Sequence, residues 1–397
     1  MVNTRKDVTK FVKSCYGCGV CVAACPYECL ELKLNATGFY APVLKKQSSC
    51  VNCGLCVKSC SYLNDGLYCN NEVVECGSTY TFDTEIRKHS SSGGFAYELE
   101  KKAIEKGYKV CGVHYNVERH RAEHIICNTE TELACLQGSK YLQSYTATAF
   151  KNFKHGNKYL VIGSPCQIDS LRRLVATKNR EDDFILVDFF CHGVPSYLVW
   201  HKYLKGTSPF NKNVNRIDFR HKWNYSEDKP ISWNRFVITG WDDEGNVYQP
   251  YLRTPKEDPF YHYFLGDLCL GKQCYNKCKF KMLHSSADMR IGDAWGATYQ
   301  KIAEGTSIVL AFTQNATNLL QELQIDRLAW RSIGIDELCE GQMQQAPPMP
   351  RHYQTRLKLM NTRVGFKTID YTLALLDKWG RRRKRLYAHI RRNHNNA

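Results

Sequence analysis

Residues 15–26 read Cys15-Tyr-Gly-Cys18-Gly-Val-Cys21-Val-Ala-Ala-Cys25-Pro26, and residues 50–61 repeat the pattern as Cys50-Val-Asn-Cys53-Gly-Leu-Cys56-Val-Lys-Ser-Cys60-Ser61. Each copy has the spacing Cys-x2-Cys-x2-Cys-x3-Cys. Closely spaced cysteines on tight, Gly-containing turns aim three thiolates at one [4Fe-4S] cubane, while the fourth, carried on a short helix, reaches the other cluster. Cys15, Cys18, Cys21 and Cys60 then hold one cluster, and Cys50, Cys53, Cys56 and Cys25 the second. Gly17, Gly19 and Gly54 suit loops whose N–H groups turn toward sulfur, a geometry that needs tolerance of positive φ. A structural zinc domain is the alternative, but zinc closes its shell with four thiolates and leaves no use for the third closely spaced cysteine of each copy. Ser61 stands where the first copy has Pro26, which alters the loop after the last ligand more than the ligation. Cys29, Cys69 and Cys76 match no ligand spacing and read as ordinary thiols.

Outward from the repeats, a chain of 397 residues has room for two to three domains. With 43% hydrophobic and 24% charged residues it has the composition of a soluble globular protein, which excludes disordered and collagen-like classes. A reducing compartment would not keep its 20 cysteines as disulfides, so they read as metal ligands or catalytic thiols. No apolar run approaches the roughly 18–20 residues of a membrane helix; the longest candidate, around Phe184 to Val194, is broken by Asp188, His192 and Gly193. Arg5, Lys6, Lys10 and Lys13 interrupt the amino terminus where a signal peptide would have an apolar core. The expectation is a cytoplasmic protein. Its net charge of +16 would fall to about +10 with three clusters of about −2 each, so the basic balance is a weak sign of nucleic acid.

From Ser61 to about His89 the chain is polar and rich in Asn and Asp, the composition of a linker. Ser90-Ser-Ser-Gly-Gly94 follows, then Phe95, Leu99, Ala103 and Ile104 at helical spacing, then a strand-like run from Tyr108 to Val113. A Ser/Gly loop opening a helix turns free N–H groups and the positive helix end toward one point, as an anion site requires; a plain serine N-cap reads the same way. Strand and helix signals alternate at Tyr159–Ile162, Gln167–Leu174, Phe184–Phe190 and Ser196–Leu204, the pattern of a mixed-sheet α/β domain with helices on its faces. No Gly-x-Gly-x-x-Gly occurs, so a Rossmann dinucleotide site is not indicated. Gly266 to Lys272 imitates a P-loop, but Gln273 replaces the hydroxyl that would bind magnesium, and that reading is rejected.

Several further blocks stand in a fixed order: Gly138-Ser-Lys-Tyr141 with Gln143-Ser144, Gly163-Ser-Pro-Cys-Gln167, Cys191-His-Gly-Val-Pro-Ser196, Phe219-Arg220 with Lys222, Cys274-x3-Cys278 and Ile291-Gly-Asp-Ala-Trp-Gly296. Together with Ser90 to Gly94 they make the region from about 90 to 296 resemble the coenzyme F420 hydrogenase/dehydrogenase beta-subunit family. The resemblance implies an FAD-binding domain with a further iron–sulfur cluster, which passes electrons between clusters and a hydride-exchanging partner, either F420 or another organic substrate.

Cys166 and Cys191 end two strand signals, where sheet edges present ligands, and Cys274 and Cys278 lie in a Lys-rich irregular segment. These four make a plausible third [4Fe-4S] site beside the flavin; a zinc site on the same thiolates and unligated buried thiols are the alternatives. Ser92, Gly93, Gly94, Ser139 and Lys140 would contact the FAD pyrophosphate, Lys140 as a point charge and the glycines by close backbone approach. Each alone reads equally as a cap or turn. His192 would relay a proton to flavin or substrate, because histidine changes charge near neutral pH; a capping or core histidine is the plainer reading. Asp293 would hydrogen-bond the isoalloxazine or orient a nearby Lys or Arg, unless it is a structural turn acid.

The expected fold class is α+β/α/β. A small ferredoxin-like two-cluster domain with its linker takes 1–76, a larger mixed-sheet FAD and iron–sulfur domain takes 77–345, and a basic helical tail takes 346–397. In the tail, Phe366, Ile369, Leu373, Leu376 and Trp379 form a helical stripe that runs into Arg381-Arg-Arg-Lys-Arg385 and Arg391-Arg392. Such a tail docks on an acidic partner or a membrane surface, or is a solvated helix; no aromatic-basic stacking motif supports nucleic acid. The function expected is a flavin-dependent iron–sulfur oxidoreductase, fed by a protein such as ferredoxin and passing hydride to an organic acceptor. The alternative is a non-catalytic electron-transfer subunit that relays electrons to a partner enzyme.

Overall fold

The computed structural model describes residues 7–12, 14–45, 50–65, 72–206, 214–224, 229–230, 238–248, 257–276 and 278–379. Cys69 and the arginine runs after residue 380 lie outside them. Each cysteine repeat folds as a loop followed by one helical turn, Val20–Ala23 in the first copy and Leu55–Lys58 in the second. Gly19 and Gly54 start those turns, both at φ 74°, a conformation that costs a side chain about 1–2 kcal/mol. A hairpin of β1 (Leu30–Leu34) and β2 (Tyr40–Leu44) completes the module.

The remainder is built on an eight-stranded mixed sheet. Its strands are β3 (Glu75–Thr81), β4 (Tyr108–Asn116), β5 (Arg121–Cys127), β6 (Lys158–Ile162), β7 (Phe184–Phe189), β13 (Met289–Asp293), β14 (Ser307–Ala311) and β15 (Leu328–Ser332). Between β7 and β13 the chain makes a satellite sheet of β8 (Val214–Asp218), β11 (Thr239–Asp242) and β12 (Val247–Tyr248), and a short pair of β9 (Trp223–Asn224) with β10 (Lys229–Pro230). The main sheet runs β15-β3-β14-β13-β7-β6-β4-β5, with β13, β7, β6 and β4 parallel and the outer strands antiparallel.

Period-two alternation divides the core into two layers. Val110, Leu160 and Val187 pack with the helices Phe95–Glu105 and Gln314–Asp326 on one face, whereas Cys111, Val161 and Leu186 pack with the helix Pro165–Thr177 on the other. Cys18, Val20 and Ala24 of the amino-terminal module belong to the second layer. Asp188 on β7 and Arg290 on β13, opposite each other in register, pair in full burial, with Arg290 Nε and Nη2 each donating to one carboxylate oxygen at 2.7 Å. Removing one partner of such a pair costs about 3–5 kcal/mol, so it pins two strands whose ends carry site residues.

Two expectations from the sequence need correction. The polar segment read as a linker contains β3, an interior strand of the sheet, and the helix Thr84–His89, and the boundary expected between 76 and 77 falls inside β3. Its hydroxyls are buried but satisfied: Thr79 Oγ1 donates to Ala329 O at 2.8 Å and Thr81 Oγ1 to Glu98 Oε1 at 2.6 Å. Internal hydrogen bonding thus lets a polar strand sit in a core. The described part of the expected tail is also packed. Tyr353, Leu357 and Met360 of the helix Tyr353–Met360 share a core cluster with the helix Tyr197–Gly206, and Tyr353 OH donates to Leu270 O at 2.7 Å. In the helix spanning 366–379, Ile369 and Leu373 are buried, but Leu376 and Trp379 are exposed. No helix among the described residues is long and apolar enough to cross a membrane.

Candidate functional site

The amino-terminal thiols lie in two groups, Cys60 beside Cys15, Cys18 and Cys21, and Cys25 beside Cys50, Cys53 and Cys56. Burial, then the nearness of Cys18, with Cys60 also contributing, holds the Cys15 thiol above its ordinary range. Cys18 is pushed up to about 11 by burial and by Cys60, and Cys21 is raised by burial and by Cys18, Cys15 and Cys60. Cys25, Cys50, Cys53 and Cys56 line a separate small cavity. The Gly17 amide donates to Cys15 Sγ at 3.1 Å, as the left-handed loop permits. No described cysteine is in a disulfide. Nor do three or more described His, Cys, Asp or Glu side chains close on the position of a single ion; a cubane takes one thiolate at each of four irons and needs its sulfurs spread around a space.

Side chains of the larger domain clamp this module. Gln143 accepts from Tyr40 N and donates to Tyr16 O, both at 2.7 Å, and Thr146 Oγ1 donates to Cys18 O at 2.7 Å. Ser170 Oγ lies 3.3 Å from Cys18 Sγ and accepts from Ser61 N at 3.1 Å, while Ser61 Oγ donates to Cys166 O at 3.2 Å. The ligand set containing Cys18 is therefore joined through two serines to the turn carrying Cys166. Sequence reading missed Tyr16, Ser61, Thr146 and Ser170, whose partners are about a hundred or more residues away in the chain.

Cys166 and Cys191 follow the carboxyl ends of the adjacent parallel strands β6 and β7, the position where open α/β sheets present functional groups. Cys166 sits in the first turn of the helix Pro165–Thr177, whose capping box joins Ser164 and Gln167. With Cys274 and Cys278, these thiols line one cavity of about 360 Å³. Cys274 is pushed up to about 12 by burial and by Cys191, while the Val194 amide hydrogen-bonds its sulfur and counters the rise; the Gly193 amide does the same for Cys191. Four half-buried thiols around one space, two of them served by backbone amides, are a donor set a cluster takes up, so these residues fit a third [4Fe-4S] group. Tyr16, carried by the first cysteine loop, lines the same space, with its ring 5.8 Å from that of Phe280.

Ser90 to Ser92, Gly94 and Gly138 to Lys140 line the same cavity. The helix Phe95–Glu105 has no side-chain N-cap, its N-cap Gly94 lies at φ 90°, and its first turn lines the cavity. An uncapped helix start leaves N–H groups and positive dipole for an anion. The volume lies within the usual range of about 300–1,000 Å³ for small-molecule sites. These features fit a bound dinucleotide such as FAD, although several expected contacts are already engaged. Ser92 Oγ donates to Thr306 O, the Ser139 amide donates to Ser91 Oγ, and Lys140 Nζ donates to the carbonyls of Cys135, Leu136 and Gln137. Gly93 packs against the sheet: a Cβ there would stand 2.4 Å from Thr79 O. Burial lowers the Lys140 ammonium to about 8.

Of the two catalytic candidates, both line the cavity. His192 Nε2 lies 2.9 Å from Asp267 Oδ1 and 3.2 Å from Phe264 O. Asp293 Oδ2 accepts from Arg220 Nη1 at 2.8 Å, and Arg220 also donates to Tyr141 OH at 3.1 Å. Lys222 Nζ donates to Ser92 O and Glu304 O, both at 2.6 Å, and so braces the serine loop. Of the thiols read as ordinary, Cys29 lines the same small cavity as Cys25, Cys50, Cys53 and Cys56, its amide donating to Cys25 Sγ at 3.3 Å, whereas Cys76 stands apart, its Sγ donating to Ile333 O at 3.0 Å.

Residues 156–332 match the family model described as the C terminus of the coenzyme F420 hydrogenase/dehydrogenase beta subunit, and residues 14–64 match the 4Fe-4S dicluster domain. The first match starts beyond the Ser90 and Gly138 blocks and continues past Gly296. Comparison with curated proteins finds no match. Among solved structures, a chain from the xenon-derivatised F420-reducing [NiFe] hydrogenase complex of Methanosarcina barkeri is similar at 17% identity and a TM-score of 0.47, covering 77% of this chain and 92% of that chain. The chain thus joins an iron–sulfur dicluster domain at residues 14–64 to a segment, 156–332, that matches the coenzyme F420 hydrogenase/dehydrogenase beta-subunit family.

Proposed function

We propose that this chain is a flavin-dependent iron–sulfur oxidoreductase that exchanges electrons with a ferredoxin-like protein and hydride with an organic acceptor, F420 or another. When bound, the clusters supply one-electron transfer and FAD supplies the conversion to two-electron hydride chemistry. The observation that carries the reading is one cavity lined both by Cys166, Cys191, Cys274 and Cys278 and by an uncapped helix start with its serine-rich loop.

Cys25, Cys50, Cys53 and Cys56 hold the outer group, with Cys53 exposed, and Cys15, Cys18, Cys21 and Cys60 hold the inner one. Ser170 and Ser61 fix the inner set against the Cys166 turn, so the three ligand sets form one file from the surface to the cavity. Ser92, Gly94 and Ser139 shape the pyrophosphate end, Gly93 lets the serine loop approach the sheet, and Lys140 holds the 136–140 loop while adding positive charge beside it. His192, oriented by Asp267, holds a proton next to the cavity. Asp293, in the cavity lining, holds the buried Arg220 guanidinium. The proposed domains are a cluster module ahead of β3, a flavin domain that begins with β3 and runs to about residue 345, and a basic carboxyl-terminal extension that docks on an acidic partner or membrane surface.

The test is mass spectrometry of the cofactor released from anaerobically purified protein, with an iron count. FAD and about twelve iron atoms are expected, four per cubane, falling to about eight in Cys191→Ser. Hydride transfer by the isolated chain with an artificial one-electron donor separates this reading from a relay protein, which would hold clusters but turn over no organic acceptor.

A further inference from the structure

Cys127 and Cys135 lie outside all three ligand sets. Cys127 closes β5 and is buried, whereas Cys135 is exposed in the 3-10 helix Glu130–Leu136. A capping box between Thr129 and Glu132 turns the chain back between them. Both thiols reach one acceptor, the Glu132 carbonyl, at 3.5 Å from Cys127 Sγ and 3.1 Å from Cys135 Sγ. They also hydrogen-bond to each other, and that bond, with the positive charge of Lys140, brings the Cys135 thiol down to about 7 against the effect of burial. Lys140 donates to the Cys135 carbonyl itself, at 3.2 Å. An exposed, readily ionised thiol beside a buried partner is the arrangement of a thiol pair that oxidises selectively.

We propose that Cys127 and Cys135 are a modification site for hydroperoxides, closing to an intramolecular disulfide. The Cys135 thiolate attacks the terminal oxygen of ROOH; an S–O bond forms, the O–O bond breaks, and RO⁻ leaves and is protonated to ROH. The Cys127 sulfur then attacks the sulfenic sulfur. An S–S bond forms, the S–O bond breaks, and hydroxide leaves as water with the Cys127 proton. Two thiols lose two electrons in all, and the peroxide is reduced to one alcohol and one water, or to two waters for hydrogen peroxide. Leu136 to Lys140 continue directly from Cys135 as cavity wall, so the bond ties that wall to β5. The inference does not depend on which cofactor fills the cavity.

Both cysteines fall on a single tryptic peptide, Ala122–Lys140. The full chain, purified anaerobically, is treated with a small excess of hydrogen peroxide, blocked with N-ethylmaleimide, digested and weighed. The expected peptide is two hydrogen masses lighter than the dithiol and carries no maleimide; prior reduction with dithiothreitol restores two maleimide adducts. In Cys127→Ser, Cys135 should form a sulfenic acid that dimedone traps at least about tenfold faster than Cys76. In Cys135→Ser, Cys127 should remain fully blocked by maleimide once the digest is denatured. Two maleimide adducts on the peroxide-treated wild-type peptide would overturn the proposal, as would dimedone trapping of Cys135 no faster than of Cys76. The wild-type measurement stands whether or not either variant folds.

Discussion

The glycine loop of the first cysteine repeat packs against the larger domain while that of the second faces outward, although the two repeats share their spacing and a glycine at the same φ of 74°. A Cβ on Gly19 would stand 2.1 Å from Thr146 Oγ1, whereas one on Gly54 would meet nothing within 4 Å. Cys18 and Cys21 are buried, and Cys53 is exposed. The cysteine spacing is therefore common to both copies, but which glycine loop lies inward is a property of Gln143 and Thr146, residues that belong to the other domain. In the proposed function the difference separates the side that receives electrons from the side that delivers them.

The largest effect should come from Cys18→Ser, which replaces a soft thiolate by a poor iron ligand in the inner set. Donor-driven turnover should fall to background with loss of about four iron atoms, while chemically reduced flavin in the folded variant still passes hydride. Equal loss of both half-reactions, followed by flavin absorbance, would mean that the module helps to build the acceptor site.

Gly19→Ala against Gly54→Ala tests the asymmetry itself. Both pay about 1–2 kcal/mol for a left-handed alanine. Gly19→Ala must also displace Thr146 and its bond to Cys18 O, an overpacking term of about 1–3 kcal/mol more. Denaturant midpoints of the holoprotein should show that gap, and equal losses would remove the distinction between inner and outer copies.

A smaller change is expected from Lys140→Ala on the cavity wall. Three carbonyls lose their donor and the loop loses its charge, so FAD should dissociate faster by a factor matching about 1.5–3 kcal/mol at most, with the amino-terminal clusters unaffected. An unchanged dissociation rate would confine Lys140 to capping the 3-10 helix.

The smallest effect concerns His124, whose Nε2 lies 3.1 Å from Ile162 O at the end of β6. Burial lowers its pKa to about 4 from an ordinary 6.5. A depressed value means that the unfolded chain binds the proton first, so this contribution is present above pH 6.5 and is lost as pH falls toward 4. His124→Gln should flatten the pH dependence of the thermal midpoint in that window by up to about one proton. An unchanged slope would show that the ring is already protonated in the fold.

The sequence by itself determined whatever depends on near neighbours. The grouping of cysteines within each repeat follows from spacing because a loop and one helical turn bring them together over a few residues, and β6, β7 and their helices follow from apolar runs with alternating faces. The polar strand β3 was hidden because its hydroxyls find acceptors on β15 and the helix Phe95–Glu105, which no local pattern records. Tertiary structure alone decided that Cys166, Cys191, Cys274 and Cys278 share a cavity, that Ser170 joins two ligand sets, and that Lys140 serves carbonyls and not only open space. Those contacts depend on which strand ends are adjacent in the sheet. Adjacency is set by packing summed over the whole chain, so the motif residues name the chemistry without saying where it meets.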